Sequence, residues 1–385
     1  MDSIIYLETT EDSNSFTNLS FFSKLLPELA NHYSKNTTKP VLSIEKLDWI
    51  EPSSLPNIVS LGLYLKNYHA EPIELKLDYN PKLLYYLEHV GFLKLIGMKS
   101  QTNNEALEIF NYEDKYIGGF SSYNIKEIRK EHKIRCYQPI LEYSMIDSIP
   151  KKEKYRDKLI EKLESYILPD QFYTILQDKE LTRENIYNTF ERLAEPISNG
   201  ILHSKSPTTV MVQTTKYRTK ISISDAGIGF ENSLTEKNIK LDFIEDLKLR
   251  NIYVKSLHDF YIIQQILFYS MCKVREGLFD FIVDVITINN GTVRIHYNST
   301  QIILTTAYID DISNLGEIRK EVLNNLMLTK TNSLDTENSL YGKCNEAILI
   351  LGRKIQNNFK SNLSISPLRL YNINFKGVHI EIDLI

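Results

Sequence analysis

Three polar side chains recur at four-residue spacing in the segment ERLAEPISNGILHSKS, which covers residues 191–206. They are Glu195, Asn199 and His203. Residues four positions apart lie on the same face of an α-helix, so these side chains would form one polar stripe on an otherwise apolar helix. Because a helix normally turns one face to the core, the stripe indicates either a solvated face or the wall of a site.

A glycine-containing loop follows two strand-like runs further along the chain. The runs TTVMVQTT and TKISISD alternate as strands, and the second leads into DAGIGF at residues 225–230. An acidic residue at a strand end, followed by G-x-G, builds a loop whose backbone can approach a ligand closely, because a Cβ atom would obstruct positive φ and close contact. Alone, the pattern is equally typical of a tight turn. Together with the polar stripe upstream, it indicates a binding site.

The order of helix, strand, strand and DAGIGF resembles that of the GHKL ATPases, which include gyrase, MutL, histidine kinases and anti-sigma-factor kinases. The resemblance implies a Bergerat-type α/β sandwich that binds ATP and magnesium. Glu195 matches the glutamate that orients or deprotonates the attacking group, and Asn199 matches the asparagine whose amide oxygen coordinates magnesium. His203 matches a polar position near the phosphates in anti-sigma-factor kinases, and a capping or solvated histidine is an equally good interpretation.

The same resemblance implies an adenine pocket and a phosphate-binding helix. Asp225 matches the aspartate that accepts the adenine amino proton, and Gly227 and Gly229 match glycines beside the adenine and ribose. Downstream, REGLFDFIVDVITINNG resembles the helix that opens with G-x-G and directs its backbone amides at the triphosphate, and Lys273 and Arg275 before it could supply positive charge there or be solvated. Gly277 matches the first glycine, but Phe279 stands at the second. A bulky side chain there would restrict the approach of phosphate to backbone and hinder phosphoryl transfer.

The remaining parts of a GHKL domain can also be identified. Residues 231–276 resemble an ATP lid that contains helices, and within it Lys273 and Arg275 are interpreted as solvated cations. The last strand, FKGVHIEIDLI, resembles the final strand of the superfamily, with Gly377 aligned and Val378 in place of threonine. Residues from about 310 to 370 are extra and carry two helical patterns, which predict a helical insert that could serve as a partner or dimer surface.

The first hundred residues alternate between strand and helix patterns, which predicts a small open sheet with helices on it. The strand VLSIEKLDWI, the following EPSSL turn and the helix ending LEHVGFLKLIG resemble a STAS domain, the fold of anti-sigma-factor antagonists, over residues 1–97. That family often carries a phosphorylatable serine after the acidic residue. Here Pro52 follows Glu51, so the phosphoswitch is lost unless Ser53 substitutes, and we favour Ser53 as a helix N-cap.

These patterns divide the chain into a STAS-like domain (1–119), a linker (120–150) and a GHKL ATP-binding domain (151–385). The linker contains RCYQPILEYS as a possible strand. The charged run KKEKYRDK, at residues 151–158, is interpreted as a solvated helix face.

Composition narrows the classes of function. With 385 residues, 42% hydrophobic residues and a net charge of −4, the chain is typical of a folded two-domain protein without a general basic field for nucleic acid. No apolar run has the length of a membrane span, and the N-terminus lacks the pattern of a signal peptide. The three cysteines form no zinc spacing. We therefore expect a cytoplasmic protein that binds neither nucleic acid nor membrane.

Three functional hypotheses remain open. In the first, ATP with magnesium orders the lid and switches binding to a protein partner, with slow hydrolysis as an option. In the second, the protein is a serine/threonine kinase of the anti-sigma-factor type that acts on a STAS partner. In the third, it is a scaffold with a decayed ATP site. Phe279 favours the first and third, whereas Glu195, Asn199 and Asp225 favour the first and second.

Overall fold

The fold is mixed α/β and contains two main β-sheets, one parallel and one antiparallel. A computed structural model describes residues 4–8, 15–77, 80–98, 106–113, 133–137, 149–177, 183–214, 218–273, 277–328, 334–360, 362 and 366–384. Among these residues, no helix is both long and apolar enough to cross a membrane.

The first sheet is parallel, and helices connect its strands, as the βαβα pattern predicts. Its strands are β1 (Ile4–Tyr6), β2 (Val41–Ser43), β3 (Ile73–Lys76) and β4 (Phe110–Asn111), adjacent in that order. Its helices are α1 (Leu26–Lys35), α2 (Leu55–His69), α3 (Pro81–His89) and α4 (Phe92–Ile96).

The single strand predicted over residues 41–50 is wrong, because the strand ends at Ser43 and a separate short strand covers Trp49–Ile50. The Ser43 hydroxyl accepts a hydrogen bond from the backbone N–H of Glu45 at 3.3 Å, which favours a turn over a continued strand. Ser53 is also not the N-cap of α2: that position is Ser54, and Ser53 is only 1% exposed.

The second sheet is antiparallel throughout. Its strands are β5 (Lys133–Tyr137), β6 (Thr208–Thr214), β7 (Thr219–Asp225), β8 (Thr292–Leu304) and β9 (Leu368–Leu384). Their spatial order is β8-β9-β7-β6-β5. Since β5 pairs with β6, the segment predicted as a linker contributes the edge strand of this sheet.

Nine further helices are described between β5 and β9. They are α5 (Ile149–Lys162), α6 (Leu168–Gln177), α7 (Arg183–Ser204), α8 (Gly229–Glu236), α9 (Asp242–Leu249), α10 (His258–Met271), α11 (Leu278–Val283), α12 (Ile309–Leu328) and α13 (Leu334–Asn357). The two helices of the predicted insert are α12 and α13, which pack against each other, and α13 also contacts α10.

The predicted lid, residues 231–276, does contain helices, but its last helix belongs to the core. Phe260, Ile262, Ile263 and Met271 of α10 are fully buried. A helix that is apolar on most of its circumference is stable only when it is covered on several sides. The part of this segment before α10 is more exposed, although Phe243, Ile244 and Leu247 of α9 also belong to the core.

The N-terminal unit covers one face of the second sheet. Helix α2, apolar around most of its surface, lies between the two sheets and contacts β6, β7 and β9. A buried hydrogen-bond chain crosses this contact: Ser60 bonds Ser224 at 2.7 Å, Ser224 bonds Asn57 at 3.1 Å, and Asn57 bonds Asn18 at 2.8 Å. Ser224 immediately precedes Asp225, so the unit is connected to the strand that carries the candidate site.

Candidate functional site

A cavity of about 440 Å³ lies between the second sheet and the helices α5, α7, α8, α10 and α11. Six of the seven site residues predicted from the sequence line it: Glu195, Asn199, His203, Asp225, Gly229 and Gly277. The seventh, Gly227, lies beside the cavity and donates its backbone N–H to the Asp225 carboxylate at 2.9 Å. The structure thus brings together residues from four separate elements of the chain.

The polar stripe of α7 forms one wall of this cavity. Glu195, Asn199 and His203 are half-buried on the cavity side. Leu193, Ala194, Ile197 and Ile201, which lie at neighbouring positions of the helix, are fully buried in the core. The stripe therefore lines the cavity and is not a solvated face.

Asp225 ends β7 at the base of the cavity and is only 5% exposed. Burial raises the pKa of its carboxyl from 3.8 to about 7, and hydrogen bonds from the backbone N–H groups of Gly227 and Val378 oppose this shift. A carboxylate has about four lone-pair positions. Two backbone donors leave acceptor capacity for a ligand, and a ligand N–H group would compensate the desolvated charge.

The two glycines of the loop have different physical roles. Gly229 adopts a φ of +76°, a left-handed conformation that favours glycine. Gly227 is needed for close approach, because a Cβ atom there would collide with the backbone of Ser204 at the end of α7. The Ile228 N–H donates to the same Ser204 carbonyl at 2.9 Å. The loop is thereby fixed against the helix that carries the polar stripe.

The start of α11 differs from the sequence-based expectation. The Phe279 side chain does not enter the cavity, since it is 1% exposed within the hydrophobic core, and Leu278 lines the cavity instead. The backbone N–H groups have protein partners: that of Gly277 donates to Asp280 at 2.9 Å, and that of Phe279 donates to the Ser270 hydroxyl at 3.2 Å. The predicted steric obstruction by Phe279 is therefore wrong, and capping by the chain's own side chains occupies these amides.

Asp280 is itself held in place by a buried arginine. Arg319 of α12, 2% exposed, donates its Nε–H to Asp280 at 3.0 Å and a second N–H to the Met271 carbonyl at 2.8 Å. A charge-assisted pair of this kind fixes the orientation of the carboxylate. The cap at the start of α11 is thus part of a rigid arrangement that also ties the helical insert to the site.

Glu195 is engaged by two neighbours within the cavity wall. The guanidinium of Arg156 on α5 donates to Glu195 Oε1, and the amide of Asn199 donates to the same oxygen at 3.3 Å. The side chains of Arg156 and Glu195 are 7% and 14% exposed. The sequence-based interpretation of residues 151–158 as a solvated face is therefore wrong for Arg156, because its charge is buried against Glu195.

Two lysines complete the polar lining. Lys237, at the end of α8, donates to His203 Nε2 at 3.0 Å, and Lys273 lies 3.8 Å from the centroid of the Tyr269 ring. Both lysines line the cavity, so Lys273 is not simply a solvated cation. Arg275, the other predicted cation, lies outside the described residues. With Arg156, the two lysines give the lining three basic side chains against the acids Glu195 and Asp225.

A magnesium ion at this site would depend mainly on Asn199. Among the described residues, no group of three or more His, Cys, Asp and Glu side chains has an arrangement that could hold a metal ion. The Asn199 amide oxygen is a suitable hard ligand, and phosphate oxygens and water complete the shell of protein-bound magnesium in many sites.

Sequence reasoning missed Arg156 and Lys237 as lining residues. Neither belongs to a motif, and each reaches the cavity only through the packing of its helix.

Comparison of the chain with protein-family models, with curated proteins and with solved structures finds no match.

Proposed function

We propose that this protein binds an adenine nucleotide with magnesium and uses it to control contact with a protein partner. The observation that carries the proposal is that the predicted adenine-site residues and the polar stripe of α7 meet at one cavity, with the buried Asp225 at its base. The resemblance to GHKL ATPases supports the choice of adenine, and the STAS-like N-terminal unit supports a signalling role.

Each residue contributes a distinct property to this site. Asp225 would accept a hydrogen bond from the amino group of adenine, and this bond is stronger because water is excluded there. Glycines 227 and 229 let the loop approach the base and ribose. Asn199 would offer its amide oxygen to magnesium, and Lys237 and Lys273 would offset phosphate charge.

The switch would act through α8, which covers part of the cavity. Phe230 and Leu234 of this short helix line the cavity together with Lys237 at its end. A ligand that contacts α8 would stabilise the position that this helix has over the cavity and so shift the population of states. The helices α12 and α13 and the N-terminal unit are the surfaces through which such a change could reach a partner or a second copy of the chain.

A kinase of the anti-sigma-factor type is a second candidate, favoured by one observation. Glu195 and Asn199, which match a base and a magnesium ligand, lie 3.3 Å apart at their polar atoms. Against efficient transfer, the amides at the start of α11 are capped by Asp280 and Ser270. Catalysis of phosphoryl transfer rests on positioning and charge stabilisation, so we rank the switch first and the scaffold with a decayed site last.

The test combines calorimetry with three variants. Wild-type protein should bind ATP or ADP with magnesium, and Asp225→Ala should weaken binding about ten- to a hundredfold, the range of one charge-assisted hydrogen bond. Glu195→Ala should retain binding, whereas Asn199→Ala should lose the magnesium-dependent part. Absence of nucleotide binding by the wild type would overturn the switch and the kinase together.

Phosphate release then distinguishes switch from kinase, and limited proteolysis of residues 229–257 shows whether the nucleotide orders this segment. In a switch, Glu195→Ala keeps the nucleotide-dependent protection of this segment, because no chemical step is required. In a kinase, Glu195→Ala loses phosphate release by about a hundredfold or more while protection persists.

A further inference from the structure

Arg156 is a buried cation whose hydrogen-bonding capacity is only partly used. The residue is 5% exposed and lines the cavity, and one of its terminal N–H groups donates to Glu195. Its Nε atom is buried and has no hydrogen-bond partner among the described residues. A guanidinium carries five N–H donors, and a buried donor without a hydrogen-bond partner destabilises the folded protein. An acceptor supplied by a ligand would remove this cost.

The position of Arg156 indicates where that acceptor lies. Glu195 Oε1, which accepts from Arg156, is 4.0 Å from the point that a Cβ atom on Gly277 would occupy. Gly277 begins the segment that leads into α11. Arg156, Glu195 and Gly277 therefore share one end of the cavity, the end at which the GHKL resemblance puts the phosphates.

The usual anion donors at that end already have partners. The Gly277 and Phe279 amides are bonded to Asp280 and Ser270, so the start of α11 offers little to an incoming phosphate. A planar guanidinium can replace such amides, because its parallel N–H groups match two oxygens of one phosphate. We propose that Arg156 binds the terminal phosphate group of the nucleotide, exchanging part of its pairing with Glu195 for phosphate oxygens.

This inference rests on the proposed nucleotide function. It assigns the preference of the site for phosphate-bearing nucleotides to Arg156, which lies outside the recognised motifs. Adenine recognition by Asp225 does not depend on it, since Asp225 is held by Gly227 and Val378. The ratio of ATP affinity to adenosine affinity therefore reports on Arg156, and adenosine affinity alone reports on Asp225.

The experiment measures the binding of ATP, AMP and adenosine, each with magnesium, by calorimetry. Wild-type protein should prefer ATP over adenosine, and Arg156→Gln should lower ATP affinity about ten- to a hundredfold while adenosine affinity changes by less than about twofold. Arg250→Gln is the matched control, because Arg250 is an exposed arginine paired with Asp246 and Glu346 outside the cavity. It should leave all three affinities unchanged.

A second variant addresses the folding risk of leaving Glu195 without its partner. The double substitution Arg156→Gln with Glu195→Gln removes both charges and keeps the shape of the Glu195 side chain, and it should show the same loss of preference for ATP. If either variant retains the wild-type ratio of ATP to adenosine affinity, or weakens both ligands equally, the role of Arg156 is wrong and adenine recognition stands. If wild-type protein binds none of the three ligands, the proposed function falls and this inference falls with it.

Discussion

Adenosine binding should strengthen as the pH rises from 6 to 8. Burial raises the pKa of Asp225 to about 7, so the carboxyl is about one-tenth ionised at pH 6 and about nine-tenths ionised at pH 8. A ligand amino group donates to the ionised form. Since apparent affinity scales with the fraction of protein in the binding-competent state, adenosine affinity should rise about tenfold over this range.

Adenosine is the appropriate ligand because it has no phosphate group that titrates in this range. Calorimetry at pH 7 in buffers of different ionisation enthalpy should also detect the release of about half a proton for each adenosine bound, because binding ionises the remaining protonated Asp225. Asp225→Asn serves as the control: its amide oxygen still accepts, but it cannot ionise. The variant should bind more weakly and with no dependence on pH.

Two results would refute this reasoning. A flat affinity between pH 6 and 8 in the wild type would mean that Asp225 does not change protonation on binding. An affinity that falls with pH would mean that the protonated carboxyl is the form that recognises the ligand.

Three further substitutions test the fold around the site. Asp225→Asn should change the pH dependence of unfolding by urea. Because the pKa of Asp225 is raised in the folded protein, its stabilising contribution is complete only below the unfolded pKa of 3.8 and is lost as the pH rises through about 7. The free energy of unfolding of the wild-type protein should therefore fall by about 2 kcal/mol between pH 5.5 and 8, and that of the variant should not. Gly227→Ala should destabilise the protein by about 1–3 kcal/mol and weaken adenosine binding, because the added Cβ atom collides with the end of α7. Gly342→Ala, which has open space around it in α13, is the control and should be neutral or stabilising. Equal effects of the two substitutions would contradict the role of Gly227 in close approach. Asn57→Ala should lower the free energy of unfolding by about 1–3 kcal/mol, because it breaks the buried hydrogen-bond chain between the N-terminal unit and the second sheet. The exposed Asn357→Ala is the control and should lower it by less than about 0.5 kcal/mol. A neutral Asn57→Ala would contradict the importance of that chain.

Local sequence patterns predicted the parts of the site that depend on one element at a time. The spacing of Glu195, Asn199 and His203 fixes a single helical face wherever the helix packs. Asp225 and the glycines after it follow from a strand end that must turn sharply. These features need no knowledge of distant residues, which is why the sequence was sufficient.

The parts that sequence patterns missed depend on contacts between distant segments. Arg156 lies in a charged run that is typical of a solvated face, and only the packing of α5 against α7 makes it a partner of Glu195. Phe279 was assigned to the cavity by analogy, but the register of α11 turns its side chain to the core. The sequence also does not predict that α2 covers the second sheet. A helix that is apolar on all sides is expected to be buried, but its sequence does not indicate which surfaces bury it.

The most direct test of an adenine site built on Asp225 is a comparison of ATP and GTP binding to the wild-type protein with magnesium. Adenine presents an amino group where guanine presents a carbonyl oxygen, and at that position an ionised carboxylate can accept a hydrogen bond only from the amino group, so the comparison is made at pH 8, where Asp225 is mostly ionised. We predict that ATP binds at least about a hundredfold more tightly than GTP, since the guanine carbonyl would face the ionised carboxylate without donating a hydrogen bond to it. Equal affinity for the two nucleotides, or no binding of either, would contradict the proposal that Asp225 recognises adenine.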